Sequence, residues 1–124
     1  MTNFAYELNK KSKSYVSDCD LSTKQYYAVK MNATEEIVLA STAGETMLGV
    51  LQDAPAAAGR TCEVAGTGTT SKAIGGAAIV AGANVQVGTG GKFVTLTSGA
   101  MAGIAVTACG DDEEQFSLDI IIGV

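Results

Sequence analysis

Four consecutive acids, Asp111-Asp112-Glu113-Glu114, form the densest group of titratable side chains in this 124-residue sequence. Carboxylate oxygens at that density can hold a hard cation, and a carboxylate pair in a cleft can move protons. The run lacks the D-x-[DN]-x-[DN]-G spacing of a calcium loop, and adjacent acids between strand-like segments suit the solvated tip of a hairpin. Asp53 and Glu63 carry the same two readings, with loop positions favoured. Two glycine-rich pieces end in lysine: Gly66-Thr67-Gly68-Thr69-Thr70-Ser71-Lys72 and Gly88-Thr89-Gly90-Gly91-Lys92. A phosphate loop needs GxxxxGK, then Ser or Thr, leading into a helix. Here Lys72 follows Ser71, and Lys92 runs into Phe93 and a strand pattern, so turn glycines explain both pieces better. Cys19, Cys62 and Cys109 have no CxxC spacing and the chain has no histidine. A zinc site, a Cys-His pair and a Ser/His/Asp set therefore cannot be assembled. The chemistry points away from an enzyme, with no cofactor and no metal expected.

The elements that would position these groups are short. Apolar residues make up 47% of the chain, charged residues 17%, and there are 15 glycines, which suits strands and tight turns and not a helical bundle. A net charge of −5, with eight Lys and Arg spread along the chain, argues against nucleic acid, whose phosphates need clustered cations. No apolar run approaches the roughly 20 residues of a membrane helix, and no charged-then-apolar leader is present, so neither a membrane partner nor secretion by a signal peptide is expected. The expectation is a product made and used without secretion, with all three cysteines reduced and serving as small apolar residues.

The strongest organising signal is an internal echo. Residues 47–64 return as residues 101–118 at a constant spacing of 54: Gly49-Val50-Leu51 over Gly103-Ile104-Ala105, Cys62 over Phe116, Val64 over Leu118. Each copy reads as a strand, a turn and an alternating strand, which is a hairpin. Upstream, Val29 sits over Val85 and Ile37 over Phe93 at a spacing of 56. Pro55, without an N–H, belongs in the hairpin loop or on an edge. The pattern predicts an all-β fold, a small antiparallel β-barrel or sandwich built from two related four-strand units, at about 25–66 and 83–124, within a β-domain over 21–124. The apolar C-terminal run 118–124 is expected to pair in the sheet.

Residues 1–20 differ in kind and read as an extended N-terminal arm. Lys10, Lys11 and Lys13 lie close together, and Phe4, Tyr6, Leu8 and Tyr15 are isolated large apolar groups. Such a segment is either a frayed terminus or an arm that orders on a partner. Phe4, Tyr6 and Leu8 alternate as in a strand that adds to an exposed sheet edge of another protein.

Several segments together resemble the capsid decoration, or cement, proteins of tailed bacteriophages: Asp20-Leu21-Ser22, Gln25-Tyr26-Tyr27-Ala28-Val29, the run Leu48-Gly49-Val50-Leu51-Gln52-Asp53-Ala54-Pro55, the glycine-rich middle, and Gly103-Ile104-Ala105 before an acidic turn. The resemblance covers roughly residues 20–124. It implies a structural protein on the outer surface of the mature capsid, bracing neighbouring major capsid protein subunits, typically as a homotrimer. It also implies that Phe4, Tyr6, Leu8, Lys10, Lys11, Lys13 and Tyr15 order on the capsid, with Met47, Met101, Ile120, Ile121 and Ile122 as candidate subunit contacts. The other reading is a module of a head or tail fibre that binds a host cell surface; small β-domains serve both roles.

Overall fold

Alternating apolar positions in runs of three to six residues give the chain its ten strands among the described residues. The structure is a computed structural model and describes residues 12–122. In chain order the strands are β1 (Ser12–Val16), β2 (Ala28–Met31), β3 (Ile37–Leu39), β4 (Gly49–Leu51) and β5 (Thr61–Ala65). They continue as β6 (Thr70–Ile74), β7 (Asn84–Val87), β8 (Phe93–Thr95), β9 (Met101–Ala105) and β10 (Gln115–Ile120). The one helical turn among the described residues is a 3-10 turn at Thr89–Gly91.

Two antiparallel sheets result, in the orders β1-β5-β4-β2-β3 and β6-β10-β9-β7-β8. Adding five to each label of the first order gives the second, so the chain is one five-strand unit used twice. The registers agree residue by residue. Val29 opposes Leu39 as Val85 opposes Thr95, and Ala28 opposes Val50 as Asn84 opposes Ile104. The unit is therefore larger than the four strands the sequence pattern suggests. Ser12 faces Ala65 as Thr70 faces Asp119, a spacing of 58 that makes β1 the counterpart of β6. Residues 12–16, read from sequence as part of an arm, thus lie in the first sheet. Each sheet curls until its edges touch at one parallel bridge, Ser17–Ile37 in the first unit and Gly75–Phe93 in the second. A single bridge does not close a barrel, and the fold is a sandwich-like pair of sheets.

The turn geometry is repeated more faithfully than the turn residues. Among the described residues, Tyr26, Glu35 and Glu113 are the non-glycine residues with positive φ (71°, 65° and 66°). Their counterparts are Gly82, Gly91 and Gly59, all with positive φ as well. Each of these three positions carries glycine in one copy and a side chain in the other, so the fold imposes the conformation there even where the residue disfavours it.

Side chains alternate between two apolar clusters. Val29, Leu51, Cys62 and Val64 point into the first unit with Leu21 and Ile37. Their strand neighbours Ala28, Val50 and Ala65, with Ala40 and Met47, join a larger cluster that contains the second unit's interior: Ile79, Val85, Phe93, Phe116, Leu118 and Ile120. β4 is consequently buried on both faces, which explains its unbroken apolar run. Phe93 and Phe116 meet edge to face with ring centres 6.3 Å apart.

Candidate interaction surfaces

β1 is an edge strand, and its polar sequence reflects that place. Lys13 and Tyr15 project over the first unit's interior, opposite Val64 and Cys62. Tyr15 packs half-buried against the inner cluster together with Leu48. Between them opens a cleft of about 260 Å³ lined by Lys13, Tyr15, Leu48, Val64, Gly66 and Thr67. The second-unit positions equivalent to Gly66 and Thr67 carry the larger Ile120 and Ile121. Lys13 has no ion-pair partner among the described residues. The cleft thus offers an apolar floor with the Lys13 side chain at its rim.

Of the residues singled out from sequence for the arm, Lys13 and Tyr15 share this cleft; Phe4, Tyr6, Leu8, Lys10 and Lys11 lie outside the described residues. The residues suggested as subunit contacts divide by burial. Met47 and Ile120 are buried within the chain, at 4% and 0% exposure, and have no surface to give a second copy. Met101, Ile121 and Ile122 remain half-exposed. Ile122 donates its N–H to Thr67 Oγ1 at 3.2 Å, which ties the end of the last strand to the rim of the cleft.

The groups that suggested chemistry are held structurally. Lys92 Nζ lies 3.0 Å from both Asp112 Oδ1 and Glu113 Oε2, so the acidic turn is anchored across the sheet and its lysine is held protonated, with a raised pKa caused first by Glu113 and then by Asp112. The sequence reading missed this pairing, because the partners are 20 residues apart. Glu45 accepts from Lys30 Nζ at 2.8 Å and from the Thr42 N–H, and its carboxyl is lowered, mainly by Lys30. Asp53 accepts the Glu63 N–H. Cys62 and Cys109 are buried free thiols and Cys19 is exposed; burial pushes the Cys62 thiol up, with Asp53 adding to it. Gln86, nearly buried, accepts the N–H groups of Thr97, Ser98 and Gly99 on one oxygen and so fixes the loop before β9. Among the described residues no three metal-ligating side chains gather.

With an all-β duplicated scaffold and no assembled reaction centre among these residues, the comparison with known families becomes decisive. The phage cement protein family model matches residues 21–120, from the loop before β2 to the end of β10. The chain belongs to the phage cement protein family. Membership makes it a structural protein of the bacteriophage virion, associated with the capsid. Its fold is similar to that of the N base of head fiber gp8.5 in bacteriophage phi29, with a TM-score of 0.65 and 18% identity over 90% of this chain and 94% of that one. No curated protein sequence matches the chain. The matched span does not include β1 or the cleft's Lys13 and Tyr15.

Proposed function

We propose that this cement protein binds the outer surface of the expanded capsid as a homo-oligomer, a trimer by the family resemblance, and braces neighbouring major capsid protein subunits. The family match over residues 21–120 carries the reading. Binding only the assembled lattice stabilises that lattice by mass action, and many weak copies sum over a shell. The segment 1–11 leads directly into β1 and the cleft, so Phe4, Tyr6, Leu8, Lys10, Lys11, Lys13 and Tyr15 would order together on the capsid protein. Lys13, with no ion-pair partner among the described residues, suits an acidic capsid residue there. The test is mechanical: heads lacking the protein, with and without added protein, are heated and DNA release is followed by dye fluorescence. Release should shift to higher temperature in proportion to occupancy; an unchanged release temperature at full occupancy refutes the bracing role. The likeness to a head-fiber base favours a second reading, a capsid-mounted foot for a fibre that meets the host surface. Retention of host envelope material by the purified protein would favour it.

A further inference from the structure

Because the chain contains its unit twice, the interface between the units shows how one unit receives another. The second unit contributes Ser71, Lys72, Ile74, Val87 and Gly90. Ser71 Oγ accepts from Gln52 Nε2 at 2.8 Å, and the Ile74 N–H donates to the Tyr26 carbonyl at 3.1 Å. The Val87 carbonyl accepts from the Gly44 N–H at 2.8 Å, the Gly90 N–H donates to Ser41, and the Lys72 ammonium lies over the Tyr26 ring. The first unit receives them on a face centred on Ala28, Val50 and Ala65, all buried to 1% exposure or less.

These two faces are different parts of the unit. The first-unit positions equivalent to Ile74 and Val87 are Val16 and Met31, and they are 41% and 39% exposed where Ile74 and Val87 are 9% and 0%. The second-unit positions equivalent to Ala28 and Gln52 are Asn84, exposed, and Val106, 53% exposed, with Met101 and Ile104 half-exposed beside them. The loops before β4 and β9 also touch, at Gly44 and Gly99. A two-fold relation would bury the same face on both units, whereas here each unit buries what the other leaves open. The chain therefore ends with one unused face of each kind. Val16, Met31 and Val106, three of the four exposed large apolar residues among the described residues, lie on those two faces.

We propose that a second copy of this chain is the occupant: the Val16–Met31 face of one copy's first unit seats on the Asn84–Val106 face of the next copy's second unit, repeating between chains the contact made within each. This names the surfaces behind the homo-oligomer in the preceding proposal. It rests on the internal repeat and not on the capsid role, so its failure would leave capsid binding standing.

A head-to-tail contact has a signature that a symmetric one lacks. Val16→Glu with Met31→Glu blocks one face, and Asn84→Glu with Val106→Glu blocks the other; all four positions are exposed, and thermal unfolding of each variant checks that the fold is kept. Sedimentation should show the full chain associating, each double variant at least tenfold weaker in self-association, and an equimolar mixture of the two forming a one-to-one heterodimer through the remaining pair of free faces. A monomeric full chain at millimolar concentration, variants that associate as the parent does, or a mixture that stays as two separate monomers would each overturn the proposal.

Discussion

Replacing Gly49 or Gly103 by alanine should be among the most damaging single changes a methyl group can make in this chain. Both glycines sit at the start of the repeated Gly-apolar-apolar motif, where a neighbouring strand passes close. A Cβ at Gly49 would overlap the Ala65 carbonyl oxygen and lie 2.7 Å from Val64 Cγ1; at Gly103 it would overlap the Asp119 carbonyl oxygen and lie 2.9 Å from Leu118 Cδ1. The obstacle is backbone in a ladder on both occasions, so relief requires β4 to part from β5, or β9 from β10. Overpacking of this kind costs about 1–3 kcal/mol, and a lost buried ladder bond adds about 1 kcal/mol. About 3 kcal/mol per substitution follows, or roughly 10 °C in melting temperature for a domain of this size. Gly59→Ala is the internal control: its φ is +85° and nothing lies within 4 Å of a Cβ there, so only the left-handed backbone penalty of about 1 kcal/mol applies. Thermal and denaturant unfolding of the three variants compare them directly. If Gly49→Ala and Gly103→Ala cost no more than Gly59→Ala, close strand approach is not why the repeat keeps these glycines.

Four further outcomes are expected. Glu35→Gly should stabilise the chain by up to about 1 kcal/mol, because Glu35 holds φ at 65° where its counterpart is glycine, and a melting curve reads the gain. Glu45→Gln should lower stability at neutral pH by at most about 1 kcal/mol, given that the Lys30 partner is partly exposed and screened. Since the folded carboxyl is lowered, that contribution is present above the unfolded pKa and fades as pH falls through the folded value, so parent and variant melting curves should converge in acid. A thiol reagent at neutral pH should label Cys19 rapidly and leave buried Cys62 and Cys109 unmodified until the chain is unfolded; a titration giving more than one fast thiol per chain would contradict the burial. Removing residues 1–11 should leave the melting temperature within a few degrees, whereas removing 1–16 strips β1 from β5, uncovers Cys62 and Val64, and should lower it markedly.

The hairpins were legible because their requirements are local. Gly49-Val50-Leu51 and Gly103-Ile104-Ala105 repeat at a fixed spacing since both need a glycine beneath a neighbouring carbonyl and a strand buried on its inner side. β1 was not legible: its polar start Ser12-Lys13-Ser14 reads as part of an arm. Although Tyr15-Val16 matches Ala73-Ile74 of its counterpart, only Tyr15 is even partly buried in β1, whereas β6 buries Ser71, Ala73 and Ile74 and meets the first unit. For the same reason Met47 and Met101, equivalent in sequence, differ in fate, one buried between the units and the other half-exposed. The left-handed turns were half visible: Gly82, Gly91 and Gly59 mark them in one copy, while Tyr26, Glu35 and Glu113 conceal them in the other. The cleft at Lys13 and Tyr15 was not legible either, because its lining joins β1 to Leu48, Val64, Gly66 and Thr67, far apart in the chain and brought together only by the β1–β5 register.

The central claim is that this duplicated β-scaffold grips an assembled capsid surface. Labelled protein is mixed with expanded heads, with precursor shells and with unassembled capsid protein, and the bound fraction is read after sedimentation. Saturable binding to expanded heads alone is the predicted result; equal binding to precursor shells, or none to heads, would contradict it.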